Sequence, residues 1–176
     1  SSDVCSSDLY TGIERTALAT LVRDLPHGGL RRPVATERFA DSRDAWLVLG
    51  GLPEDASDRD TADGGPATGA AARIRLARTM LVEPDDFSAA DAVAAAEACA
   101  AAQAGQVAGA VRKVVSRHGW QPDRVVLSGH GEALALRALA LALPGVATVS
   151  LANVLGPAVS RAAPAHALAR IARGSR

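Results

Sequence analysis

The chain has 176 residues, 48% of them hydrophobic and 22% charged, enough for one globular domain or a large part of one. Nineteen basic residues balance nineteen acidic ones, so no global field attracts nucleic acid or an anionic membrane. With only 3% aromatic residues the core must be built from Ala, Val and Leu, and the arginine excess over the single Lys113 reads as GC-rich coding bias rather than chemistry.

Residues 1–9, SSDVCSSDL, repeat the string SSD and resemble the in-frame translation of a sequencing-library adapter. On that reading they stand outside the fold, Cys5 is not native, and the protein continues upstream of Tyr10. Cys99 then stands alone in an alanine-rich helical stretch, where a buried small hydrophobe is the expected role. No apolar run reaches spanning length, so a cytoplasmic protein is the default expectation.

Residues 10–40 hold an apolar run at 17–22, a turn at 26–29 and a second run at 33–39, a pattern that predicts a β-hairpin. Residues 41–49 predict a short helix capped by Asp41 or Ser42, with Trp46, Leu47 and Leu49 on its apolar side and Gly50-Gly51 at its end. An acidic loop follows at 53–63 and runs into TADGGPAT at 61–68. Asp and Thr beside glycines can hold a metal ion or hydrogen-bond a phosphate or sugar; equally, Thr68 can cap the next helix and Asp63-Gly64 can be a turn.

Residues 70–82 predict a helix on which Arg73, Arg75 and Arg78 are too spread to form a DNA-binding face. Ser88 and Asp91 predict a capping box that opens a long alanine-rich helix to about Arg117. Gly105 and Gly109 suggest close packing of that helix on a sheet.

Residues 123–143 read as strand, glycine turn and helix: Val125, Val126 and Leu127, then Ser128-Gly129-His130-Gly131, then a dozen residues with helical apolar spacing. Glycines let a backbone approach a ligand, and the following helix start offers unpaired N–H groups to a nucleotide or phosphate. The same glycines are also what any tight strand-to-helix turn uses, the fuller dinucleotide fingerprint is missing, and His130 fits a solvated loop as well as a ligand contact. Residues 146–155 predict a second strand, and the tail a final helix opened by Pro164. The expected fold is α/β, a sheet covered by helices.

YTGIERT at 10–16, FADSRDAW at 39–46, LPEDASDRDTADGGPAT at 52–68, ARIRLAR at 72–78, the 128–131 turn and SRAAPAHALA at 160–169 together resemble the tetrahydromethanopterin-linked one-carbon transfer pathway protein of the hydantoinase A/oxoprolinase family. The resemblance spans residues 10–176 in order. It implies the C-terminal half of an actin-like ATPase fold of the sugar kinase, Hsp70 and actin type, with the family's two phosphate-binding loops upstream of Tyr10. The archaeal relatives condense γ-glutamyltyramine with a furan whose leaving group is pyrophosphate, in methanofuran synthesis, so a transferase or a hydrolase is implied.

Carried onto this chain, the resemblance makes Asp44 and Asp63 candidates for metal or base roles, and Arg15, Thr61 and Thr68 candidates for substrate contacts. It places Ser128, Gly129, His130 and Gly131 against the adenosine of ATP or another nucleotide, with Mg as the accompanying ion, although His130 stands where a small residue is expected. The expected partner is a small-molecule substrate, with a homo-oligomer compatible and neither nucleic acid nor membrane expected. Two alternatives stand beside this reading: an ATP-dependent amidohydrolase of the hydantoinase type, and a non-catalytic nucleotide-binding module. Half of a two-domain cleft is expected to be inactive alone.

Overall fold

A 30-residue helix, α4 (Ala89–His118), is the piece on which the first two thirds of the chain is assembled in a computed structural model that describes residues 9–174. Ser88 and Asp91 form the expected capping box, Ser88 Oγ accepting the Asp91 N–H at 3.1 Å, and Gly119 ends the helix. One side of α4 buries Ala92, Ala95, Ala96, Cys99, Ala100, Gln103, Ala104 and Ala108, a spacing of three and four that keeps small residues against neighbouring elements. Gly105 and Gly109 do not make that packing: a Cβ at either would meet no atom within 4 Å. The alanines already permit the close approach, and the glycines lie off the packed stripe.

Helix α1 (Leu18–Leu21) is a single turn where a strand was expected, and strands β1 (Asp24–His27) and β2 (Leu30–Pro33) form the hairpin further along. Ala and Leu favour helix, and the hairpin is fixed instead by its two-residue loop, Gly28 and Gly29 at φ 59° and 76°, the left-handed geometry of a type I′ turn. The register runs from Asp24 opposite Pro33 to His27 opposite Leu30. Helices α2 (Ser42–Val48) and α3 (Gly69–Thr79) follow within a residue or so of expectation at their starts, and Thr68 Oγ1 caps α3 through the Ala71 N–H at 3.4 Å.

Two contiguous cores result. Leu18, Leu25, Leu76 and Phe87 pack on the first half of α4, and Ile13, Trp46, Leu52 and Leu134 pack near Ala100 and Ala104. Each large apolar side chain buried in this way contributes roughly 1.5–3 kcal/mol, which compensates for the scarcity of aromatics. Cys99 lies in the first core, where burial pushes its thiol up to about 12, so it behaves as the expected small hydrophobe.

Beyond α4, strand β3 (Arg124–Leu127), helix α5 (Glu132–Ala142) and strand β4 (Ala147–Ser150) form a parallel βαβ unit with Arg124 opposite Ala147 and Leu127 opposite Ser150. The expected second strand stops at Ser150, whose Oγ accepts the Asn153 N–H at 3.1 Å and so opens helix α6 (Leu151–Leu155). Helices α7 (Pro157–Arg161) and α8 (Ala163–Gly174) complete the described chain. The fold is mixed α/β, but among the described residues the strands form two separate two-stranded sheets, one antiparallel and one parallel, in place of one sheet covered by helices. The adapter-like residues lie outside the described part except for Leu9.

Candidate functional site

The loop at residues 11–16 is held from several sides. The Gly12 carbonyl accepts from Thr16 Oγ1 at 3.1 Å, Ser42 Oγ at 2.8 Å and Gln103 Nε2 at 2.8 Å. Gln103 is buried, and its Oε1 in turn accepts from Trp46 Nε1 at 2.8 Å. With Ile13 buried as an anchor, the loop presents Glu14 and Arg15 from a backbone that α2 and α4 determine.

Those two residues line a cleft of about 640 Å³ whose other walls carry Arg43 from α2, Asp55, Asp58 and Asp60 from the acidic loop, His130 from the glycine turn and Arg161 from α7. An adjoining recess of about 610 Å³ lies between residues 11–15 and 128–131, with Leu134 at its back. Glu14 Oε2 stands 3.3 Å from His130 Nε2, and Arg15 pairs with Asp60 at 3.3 Å. Both members of the Arg15 pair are largely solvent-exposed, which limits its worth to about 0–1 kcal/mol and leaves Arg15 available to a ligand.

Arg43 is committed differently. It donates to Asp58 and to the Asp60 carbonyl at 2.9 Å, tying the acidic loop to α2. The Asp60 N–H, and after it Arg43, hold the Asp58 carboxylate below its ordinary value. The loop is closed again by the Asp55 N–H on the Ala67 carbonyl at 2.9 Å. Arg161 is exposed and makes no ion pair among the described residues.

The residues expected to form one site divide into two groups. Arg15 meets Ser128, Gly129, His130 and Gly131 at the recess. Asp44, Asp63, Thr61 and Thr68 do not join them. Asp44 is buried, with Oδ1 accepting from Arg75 Nε at 2.7 Å and Oδ2 from the Asp41 N–H at 2.9 Å. Burial pushes its carboxyl above the ordinary value, opposed by Arg75 and the Asp41 N–H. Its enclosure and its pairing with Arg75 set this carboxylate apart from the cleft.

Asp63 shares the same partner, Arg75 Nη1 at 3.0 Å, and adds Arg78 at 3.3 Å and the Gly65 N–H at 2.9 Å. Burial pushes it up, but these donors outweigh that and hold it below its ordinary value. Thr61 Oγ1 donates to the Gly65 carbonyl at 2.8 Å, and Thr68 is the cap of α3. The octet is thus a loop pinned to the wholly buried Arg75, and the arginines of α3 serve separate structural ends: Arg73 donates to the Pro84 and Phe87 carbonyls. Among the described residues no group of three or more His, Cys, Asp or Glu side chains is placed to hold a metal ion.

In the glycine turn the Gly129 N–H is taken by Ser160, at 2.9 Å to Oγ and 3.1 Å to the carbonyl. The turn borders the recess together with Ile13 and Leu134, and Gly131 comes closest to Ile13. Residue-level reading missed Glu14, Arg43, Gln103 and Arg161, although the first two and Arg161 lie inside the stretches that carry the family resemblance. Compared with protein-family models the chain matches none, and no curated protein sequence matches it.

Proposed function

We propose that the chain is part of a hydantoinase/oxoprolinase-like enzyme whose small-molecule site is the cleft between residues 11–15, the 128–131 turn, α2 and α7. One observation carries this reading: stretches far apart in sequence, each quoted for the resemblance, converge on one concave, mixed-charge surface with Glu14 and His130 within 3.3 Å at its centre. The finer fold, the C-terminal half of an actin-like ATPase, is supported by the parallel β3–α5–β4 unit, whose turn lies at the carboxyl end of β3, where open α/β sheets bind ligands.

In the proposed condensation, His130, whose Nε2 lies 3.3 Å from Glu14 Oε2, accepts a proton from an attacking amine at its other ring nitrogen, Nδ1. Arg15 and Arg161 stabilise the departing diphosphate by their charge. In this reading Asp44 and Asp63 act by holding Arg75. A nucleotide, if used, lies with its base on the glycine turn.

The test is turnover by the intact protein of γ-glutamyltyramine and a furan diphosphate. Pyrophosphate release, reduced about 10²–10⁴-fold by His130→Gln and unchanged in character by Thr61→Ala, supports the reading. ADP and a ring-opened amide from a cyclic amide support the amidohydrolase alternative, and nucleotide binding without any turnover supports a binding module. Unaltered turnover by His130→Gln removes His130 as the base.

A further inference from the structure

The balanced total charge conceals a segregation. Glu132 is the last acidic residue of the chain, and residues 133–176 carry five arginines and no Asp or Glu. Helix α8 concentrates this: His166, Arg170 and Arg173 follow one another at spacings of four and three, which sets them along one side, while Leu168 and Ile171 lie along the opposite side. The helix buries none of its residues and packs against α7, and Leu168 and Ile171 are 68% and 65% exposed. No ion pair among the described residues involves Arg170 or Arg173.

We infer that α8 docks this protein onto an anionic lipid surface, lying in the plane of the interface with Leu168 and Ile171 toward the acyl chains and the arginines among the headgroups. A 12-residue helix is about 18 Å long, too short to cross a bilayer, and among the described residues no helix is long and apolar enough to do so. The geometry selects the class of partner. A polyanion such as nucleic acid would engage the arginines and leave Leu168 in water, and a protein groove requires a longer row of protruding side chains, whereas α8 presents two large ones, Leu168 and Ile171, among alanines. A lipid interface accepts two large apolar side chains one turn apart, Leu168 and Ile171, without shape complementarity and supplies the negative charge. The inference is independent of the proposed activity, since α8 lines neither the cleft nor the recess.

The experiment is flotation of the intact protein with vesicles of equal parts phosphatidylglycerol and phosphatidylcholine, and with phosphatidylcholine alone, circular dichroism confirming that each variant is folded. The expected result is binding to the anionic vesicles only, weakened by salt, about fivefold weaker for each of Arg170→Gln and Arg173→Gln, and about tenfold or more weaker for Leu168→Gln. Absence of binding to anionic vesicles overturns the inference, as does binding that salt does not weaken. Binding that the arginine variants lose but Leu168→Gln retains, matched by equal affinity for heparin, also overturns it and assigns the helix to a polyanion.

Discussion

Two alanine-rich helices of this protein carry similar compositions and meet opposite fates. Helix α4 lays a stripe of alanines, Cys99 and Gln103 against α2, α3, α5 and β1, while α8 leaves every side chain at least partly in water. The difference lies in the polar residues around them. Near α4, buried polar groups are paired in chains that cross elements: Trp46 to Gln103 to the Gly12 carbonyl, and Asp44 to Arg75 to Asp63. Past α4 the polar ties lie nearer the surface, Arg137 to Glu97, Arg112 to the Leu141 carbonyl, Ser160 on Gly129 and Ser150 on Glu132, and the parallel pair leaves Val126 59% exposed where parallel sheets are ordinarily covered on both faces. Small apolar residues let elements approach, and satisfied polar networks decide which approach is unique.

The sharpest way to break this contrast is at Arg75. Arg75→Met leaves Asp44 buried beside no cation and is expected to cost about 3–5 kcal/mol in urea unfolding, and adding Asp44→Leu is expected to recover much of that loss. A full loss that persists in the double variant would show that the pair was not the source. Gln103→Leu, which strands the Trp46 indole N–H, is expected to cost about 1–3 kcal/mol and to raise hydrogen exchange in residues 11–16. Gly51→Ala belongs in the same range, about 1–3 kcal/mol, because its Cβ would stand 2.5 Å from the Trp46 ring.

Acid tests the same network more gently. Asp63 and Glu97 are held below their ordinary values, Asp63 by Gly65, Arg75 and Arg78 against its burial, Glu97 by Arg137. A lowered native value adds stability that is complete above the unfolded carboxylate range, near pH 4, and disappears as pH falls through the native value. Asp44, pushed up by burial, works the other way and gains as it protonates. Unfolding midpoints are therefore expected to hold from pH 7 to about 5 and to fall below about pH 4, with Asp63→Asn losing less over that interval than the parent chain. The smallest effects belong to the far region: Leu168→Ser is expected to change stability by no more than about 0.5 kcal/mol, and a larger change would show that α8 is more tightly built into the fold than its exposure indicates.

Several parts of the molecule were readable from residues alone, and each had a local cause. The α2 and α4 starts, the Thr68 cap, the β3 strand and the 128–131 turn all follow from capping side chains, β-branched runs and glycines within a few residues of each other. The strand expected at 17–22 became helix, and the one at 146–155 was cut at Ser150, because in short apolar runs propensity and a single capping hydroxyl outweigh hydrophobicity. At the site, the sequence points to Arg15 and His130 on the cleft. The pairing of Asp44 is not legible there, because a carboxylate inside a resembling stretch is indistinguishable by type from one that answers a buried arginine thirty-one positions away. The charge segregation after Glu132 was present in the sequence and hidden by counting charges over the whole chain.

By itself the sequence determined the local elements, their caps, the alanine-built core and the acidic and basic halves, since these depend on side-chain volume, charge and hydrogen bonding over a few residues. Only the tertiary structure decided that the strands form two small sheets, that Arg75 consumes Asp44 and Asp63, and that Glu14 faces His130 across a cleft. Those outcomes rest on contacts between residues up to 116 positions apart, as from Glu14 to His130, where packing selects among partners that are chemically equivalent in the unfolded chain.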